Sequence, residues 1–190
     1  MVAGVTTIVA AALAVLGTLL SPVLAQRVTA RTKQQEFELA HRQRQEEREV
    51  EQKRLAFEER RAAYTELNAQ MRSMHRALLN YIHLIRAGNQ TEADVNKLDE
   101  ARHKYLERYF DVQMLISDGV LKAAGYANDG LGCAYGMARR LGSGAPQVAP
   151  ENGQDEETVD STFSYLEEVR QRIADTRNIM RAELGLATAR

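Results

Sequence analysis

The sequence predicts an all-α chain: an apolar amino-terminal helix continuing into a long charged helix, then an antiparallel helical bundle, most simply of four helices. Three observations carry that expectation. Ala, Leu, Glu, Arg and Gln dominate a chain of 190 residues that has no Trp and three prolines, the composition of helical proteins. No glycine or proline interrupts residues 23–87. Apolar residues then recur at helical spacing in the stretches that follow.

At this length there is room for one domain plus an anchor. Charged residues make up 27% of the chain, yet the formal net charge is -1, so no global field favours nucleic acid or anionic lipid. Cys133 is the single cysteine, which excludes an intrachain disulfide.

Residues 1–25 carry no charged side chain. A helix of about 24 residues extends roughly 36 Å, enough for a bilayer core of about 30 Å. This predicts a single membrane span that stops before Arg27, because an arginine at the bilayer centre costs about 2.5–3.5 kcal/mol. The rival is a cleaved signal peptide ending at Val23-Leu24-Ala25. Against it, nothing basic precedes the apolar run, and the run exceeds the roughly 7–15 residues of a signal core. Arg27, Arg31 and Lys33 follow the span with no acid among them, so the amino terminus is expected outside and the bundle in the cytoplasm. The same three residues are placed to touch lipid head groups, worth about 1 kcal/mol each.

Residues 26–55 read as a charged stalk. Glu38 with Arg42, Arg42 with Glu46, Glu49 with Lys53 and Arg54 with Glu58 stand one helical turn apart. Such pairs give about 0.2–0.5 kcal/mol each, too little to hold a long lone helix. The stalk is therefore a solvated rod or, paired with a second copy, a parallel homodimeric coiled coil. Val50, Phe57, Tyr64, Met71, Leu78 and Ile85 form a heptad column. Leu67, Met74 and Tyr81 fill the companion position, where Lys53 and Arg60 stand earlier. The seam is complete only after Tyr64, which places the packed body at residues 56–187.

Leu16-Gly17-Thr18-Leu19-Leu20-Ser21-Pro22-Val23-Leu24 running into Gln26-Arg27, with Gln35-Glu36-Phe37-Glu38-Leu39-Ala40 and Glu59-Arg60-Arg61-Ala62-Ala63-Tyr64, resembles a group of actinobacterial membrane proteins. The resemblance covers residues 16–82 most clearly. It implies one amino-terminal span, a charged helix and a small helical bundle, and it implies no activity.

Gly88 and Asn89 break the first long helix, and Thr91-Glu92-Ala93-Asp94 offers a capping-box-like start for the next. Val95, Leu98, Tyr105, Tyr109, Val112 and Ile116 form its apolar stripe, and an antiparallel hairpin would bring His75 near His103. The heptad phase runs on through Ala123, Tyr126, Cys133 and Met137, which puts Cys133 in the seam as a small buried hydrophobe. A break is nevertheless expected, with Asp118 as N-cap, because Gly119 inside a helix costs about 1 kcal/mol relative to Ala. The resulting bundle helices span roughly 56–87, 92–117, 119–141 and 156–184 by their caps and periodicity. Gly132 and Gly136 share a face of the third helix, where Phe163 and Tyr165 of the fourth could approach. Residues 142–157, rich in Pro, Gly, Ser and acids, read as a flexible loop. Val159, Phe163, Leu166, Val169, Ile173 and Met180 form the last stripe.

Two Glu-x-x-His pairs, Glu38 with His41 and Glu100 with His103, have the spacing used in di-iron helical bundles. Glu38 and His41 stand on the charged stalk, far from any core, and Glu100 and His103 flank the apolar stripe of their helix, so solvated residues are the expected reading. No Gly-rich loop leads into a helix with Lys-Ser or Lys-Thr, and no cofactor is expected. Basic residues of the stalk are matched by acids, which disfavours nucleic acid. Arg139 and Arg140 complement the end of the third helix. With Gly132, Gly136 and the following loop they form the candidate surface for a protein partner. The expected function is a non-enzymatic membrane-tethered scaffold or recruitment protein. The alternative is a small metal-binding or enzymatic bundle using His75, His103 and Glu100. A further likeness, to the peripheral stalk subunit of a rotary ATP synthase, fails at the break near Gly88 and at the Gly-rich third helix.

Overall fold

The computed structural model describes residues 3–145 and 157–186, and every regular element among them is an α-helix. These are α1 (Ala3–Arg86), α2 (Glu92–Val112), α3 (Asp118–Gly142) and α4 (Val159–Glu183). The chain divides into two compact units, Met1–Leu55 and Ala56–Arg190.

In the first unit the described side chains of α1 are almost all exposed, as a helix patterned with charge all round requires. Arg54 grips Glu51 one turn earlier through two bonds of 3.0 and 2.8 Å. His41 lies beside the ring of Phe37, with centroids 6.4 Å apart. Among the described residues no helix is long and apolar enough to cross a membrane. The expected span over residues 1–25 falls on side chains outside the described residues, as do Arg27 and Arg31; Lys33 is exposed.

The second unit is an antiparallel four-helix bundle. Facing pairs run in opposite directions along α1 and α4: Arg86 with Asp160, His83 with Phe163, His75 with Leu166, Tyr64 with Glu183. The same holds for α2 and α3, through Asp99 with Tyr135 and Tyr105 with Asn128. Tyr64, Leu67, Met71, Met74, Leu78, Tyr81 and Ile82 of α1 are buried against Leu98, Tyr105, Tyr109 and Val112 of α2 and Leu166, Val169, Ile173 and Met180 of α4. The seam thus closes from Tyr64 onward, while Phe57 remains 45% exposed.

The helix ends follow local chemistry. Gly88, at φ 65°, lets its own N–H and that of Asn89 cap the carbonyls of Ile85 and Leu84 at 3.0 Å each, a turn that a side chain at that φ would strain. Asp94 accepts from the backbone and hydroxyl of Thr91 (3.2 and 2.7 Å), and these bonds, then Lys97, hold its carboxyl below the ordinary range.

The break between α2 and α3 is where the sequence places it, but the cap is not. Ser117, not Asp118, is the N-cap: its oxygen accepts from Val120 N–H at 3.2 Å while its hydroxyl donates to Glu183 Oε1 at 2.5 Å. Residues 113–117 have left the helix, so α2 is shorter than expected. Ser117→Ala should therefore destabilise the bundle by about 1–2 kcal/mol, the loss of a cap plus a charge-assisted bond, and Asp118→Ala by much less. Urea unfolding of the two variants checks this.

That break also corrects the buried face of α3. The expected stripe of Ala123, Tyr126, Cys133 and Met137 is displaced by one residue: Ala124, Ala127, Ala134 and Ala138 are the buried positions, with Val120 and Leu131. One residue is about 100° of helix rotation, because a non-helical link does not carry heptad phase across. Cys133 is consequently exposed.

Burial raises the phenol pKa of Tyr64, Tyr81, Tyr105 and Tyr109 above the ordinary 10.0; a hydrogen bond to Glu183 adds to the effect at Tyr64, and the charge of Asp129 at Tyr105 and Tyr109. A raised folded-state value means that the unfolded chain loses its protons first. Stability is whole below about pH 10 and falls as pH climbs from there toward the folded values. Melting temperature should be flat over about pH 8–9 and drop above about 10, with a smaller drop in Tyr105→Phe.

Candidate functional site

Two grooves flank the outward face of α3. The first, of about 380 Å³, runs between α2 and α3 with Met74 of α1 at its base; Arg102, Leu106, Asn128, Gly132 and Cys133 line it. Tyr105, buried beneath, donates to Asn128 Oδ1 at 3.2 Å and fixes that wall. At its upper end Arg102 stacks on Tyr135 at 4.2 Å, and Tyr135 donates to Asp99 at 2.7 Å. The second groove, of about 580 Å³, lies between α3 and α4 and is lined by Gly119, Lys122, Ala123, Tyr126, Arg172, Asp175 and Ile179. Tyr126 stands 59% exposed at its edge.

The residues expected to meet a partner separate here. Gly132 opens onto the first groove, and a Cβ on it would meet nothing within 4 Å, so it is not the close-packing glycine it was expected to be. Gly136 is covered by the guanidinium of Arg140, at 3.2 Å from where its Cβ would stand. Arg139 is turned to Asp99 at 3.5 Å, and Arg140 is held by Glu157, with Nε at 2.9 Å. That bond holds the Arg140 pKa above its ordinary value. Both arginines therefore brace the end of the bundle. The glycines that admit neighbours are Gly130, whose Cβ would lie 3.0 Å from Val169 Cγ2, and Gly142, which lies against the Tyr81 hydroxyl. Phe163 packs instead on α1, against His83 at 4.8 Å and Arg86 at 5.0 Å. The loop over 142–157 falls largely outside the described residues.

The metal alternative is redistributed as well. His75 is buried and bonded to the Leu166 carbonyl at 2.9 Å, so it faces α4 rather than His103. The Leu166 carbonyl thus takes a second bond beside its intrahelical one, from the α1 side chain. His103 is exposed, and Glu100 is paired with Lys104 at 2.6 Å, which lowers its carboxyl pKa. Among the described residues no three His, Cys, Asp or Glu side chains converge as a metal site.

Tyr126, Lys122 and Ile179 are the groove residues that the sequence alone did not mark. Tyr126 stands outward because of the shift in phase; Ile179 lies off the α4 stripe of Leu166, Val169, Ile173 and Met180, which is a readable signal of an outward apolar residue.

The fold and site together define a class, the antiparallel four-helix bundle with a grooved outer face on its third helix. Comparison with protein-family models, curated proteins and solved structures finds no match to this chain.

Proposed function

We propose that this chain is a non-enzymatic, single-pass membrane protein of the group it resembles, whose cytoplasmic bundle recruits a protein partner through the outward face of α3. The observation that carries the reading is the pair of grooves on either side of α3, one edged by the exposed Tyr126. An exposed tyrosine beside an apolar groove is a typical anchor for a partner, since it adds large area at small entropic cost. The anchor is the uncharged run over residues 1–25, and Arg27, Arg31 and Lys33 set its orientation and meet lipid head groups. Confinement to the membrane raises the effective concentration of the bundle for its partner. Pairing of two copies through Val50 of the stalk and Phe57 just beyond it, which stand 67% and 45% exposed, would add avidity.

Two measurements test this. A membrane-impermeant thiol reagent should leave the exposed Cys133 and a Gly153→Cys reporter unlabelled in intact cells and label both after lysis; labelling in intact cells would place the bundle outside. A photo-crosslinker at Tyr126 should give a discrete adduct in cells that the same probe at Glu107 does not, and equal yields from the two positions would sink the recruitment face.

A further inference from the structure

The groove on the opposite side of the bundle, between α1 and α4, has a different chemistry. It encloses about 410 Å³, and Asn68, Arg72, Arg170, Gln171 and Arg177 stand around an apolar floor of Ile173 and Ala174. On a chain of net charge -1, three exposed arginines from two helices line one concavity.

Their surroundings distinguish them from ordinary surface arginines. Arg170 is paired with Glu167 at 2.5 Å. Among the described residues neither Arg72 nor Arg177 is in an ion pair. The sequence gives the reason: one turn before and after Arg72 stand Asn68, Ala69, His75 and Arg76, and around Arg177 stand Ile173, Ala174, Met180 and Arg181. No carboxylate is in helical register with either, in contrast to the stalk. Asp175 lines the groove between α3 and α4 instead, and is engaged by the Gln171 amide at 2.9 Å. Asn68 supplies the complementary signal. Its Oδ1 is shielded from solvent and has no hydrogen-bond partner. An unpaired Oδ1 calls for a donor; with the amide turned over, its NH2 stands in that place and calls for an acceptor, which an oxyanion provides.

We propose that this groove binds a doubly charged oxyanion, a phosphate monoester group, held by Arg72 and Arg177 with Asn68 as a neutral donor. Two unpaired guanidinium groups match the two charges of a phosphate monoester near neutral pH, and their planar forks match its oxygens. Arg170 shares its charge between Glu167 and the bound group. The phosphate can belong to a free ion or to a lipid head group; the chemistry of the site is the same.

The test uses the full chain in an uncharged detergent, followed by ³¹P NMR line broadening. Inorganic phosphate and the short-chain lipid dihexanoyl phosphatidate are titrated separately. Saturable broadening of either at millimolar concentration or below is expected. Equal affinity assigns the site to free phosphate, and tighter binding of the phosphatidate assigns it to a lipid head group. Arg72→Gln and Arg177→Gln should each weaken binding by about tenfold, the loss of a charge-assisted bond, and Arg72→Lys by less. Gln171→Glu, which adds a negative charge at the rim, provides a second variant should the arginine variants fail to fold. Absence of saturation with both probes, or affinity unchanged in all of these variants, overturns the proposal.

Discussion

Leu78→Ala is expected to lower the unfolding free energy of the bundle by about 2–5 kcal/mol, because it empties a wholly buried site at the middle of the α1 seam. At about 2–4 °C per kcal/mol for a chain of this size, the melting temperature should fall by roughly 4–20 °C. Phe57→Ala, three heptads earlier in the same column, removes a larger side chain that is already half in water, and should change stability by about 0.5 kcal/mol or less. Calorimetry or thermal circular dichroism on the two variants measures where packing begins. Equal losses would mean that Phe57 is covered in solution, as it would be by a second copy of the stalk.

The second large effect discriminates between the two possible faces of α3. Ala134→Leu forces three extra carbons into a fully buried site and should cost about 3 kcal/mol, the upper part of the range for overpacking. Cys133→Leu, next to it, is on an exposed position beside Tyr165 of α4 and should be close to neutral. The heptad phase carried over from α2 demands the reverse order. Denaturant midpoints for the two leucine variants therefore fix the rotation of α3 about its own axis.

That rotation is also the place where the sequence was hardest to read. The seam of α1 after Tyr64, the stripe from Leu98 to Val112 in α2 and that from Leu166 to Met180 in α4 are built from large apolar residues with polar neighbours, and their periodicity is unambiguous. In α3 the buried positions are mostly alanine, with only Val120 and Leu131 larger, and Gly119, Tyr126, Gly132 and Cys133 share the exposed side with Asp118, Lys122 and Asp129, so the core face carries few large apolar markers. Asp118, Lys122 and Asp129 do mark the outer face, but the phase was taken across residues 113–117, where no helix carries it. Gly132 was expected to admit a neighbouring helix and instead lies on an open face, because the same shift of phase turns it away from α4. Arg139 and Arg140 misled because their partners, Asp99 and Glu157, lie on other segments. The arginine groove was hidden for the same reason: Arg72 and Arg177 are brought together only by the α1–α4 pairing.

Glu183 has a consequence for the order in which this domain can assemble. Its two oxygens accept from Tyr64, 119 residues earlier, and from Ser117, 66 residues earlier, at 2.5 Å each. One carboxylate near the end of the chain thus closes the two longest loops that meet at that end of the bundle. Closing loops of that length costs chain entropy that the local α2–α3 hairpin does not, so these links are expected to form after it. A nascent chain that has not yet released α4 lacks this clasp entirely, and the cap of α3 then rests on Ser117 alone.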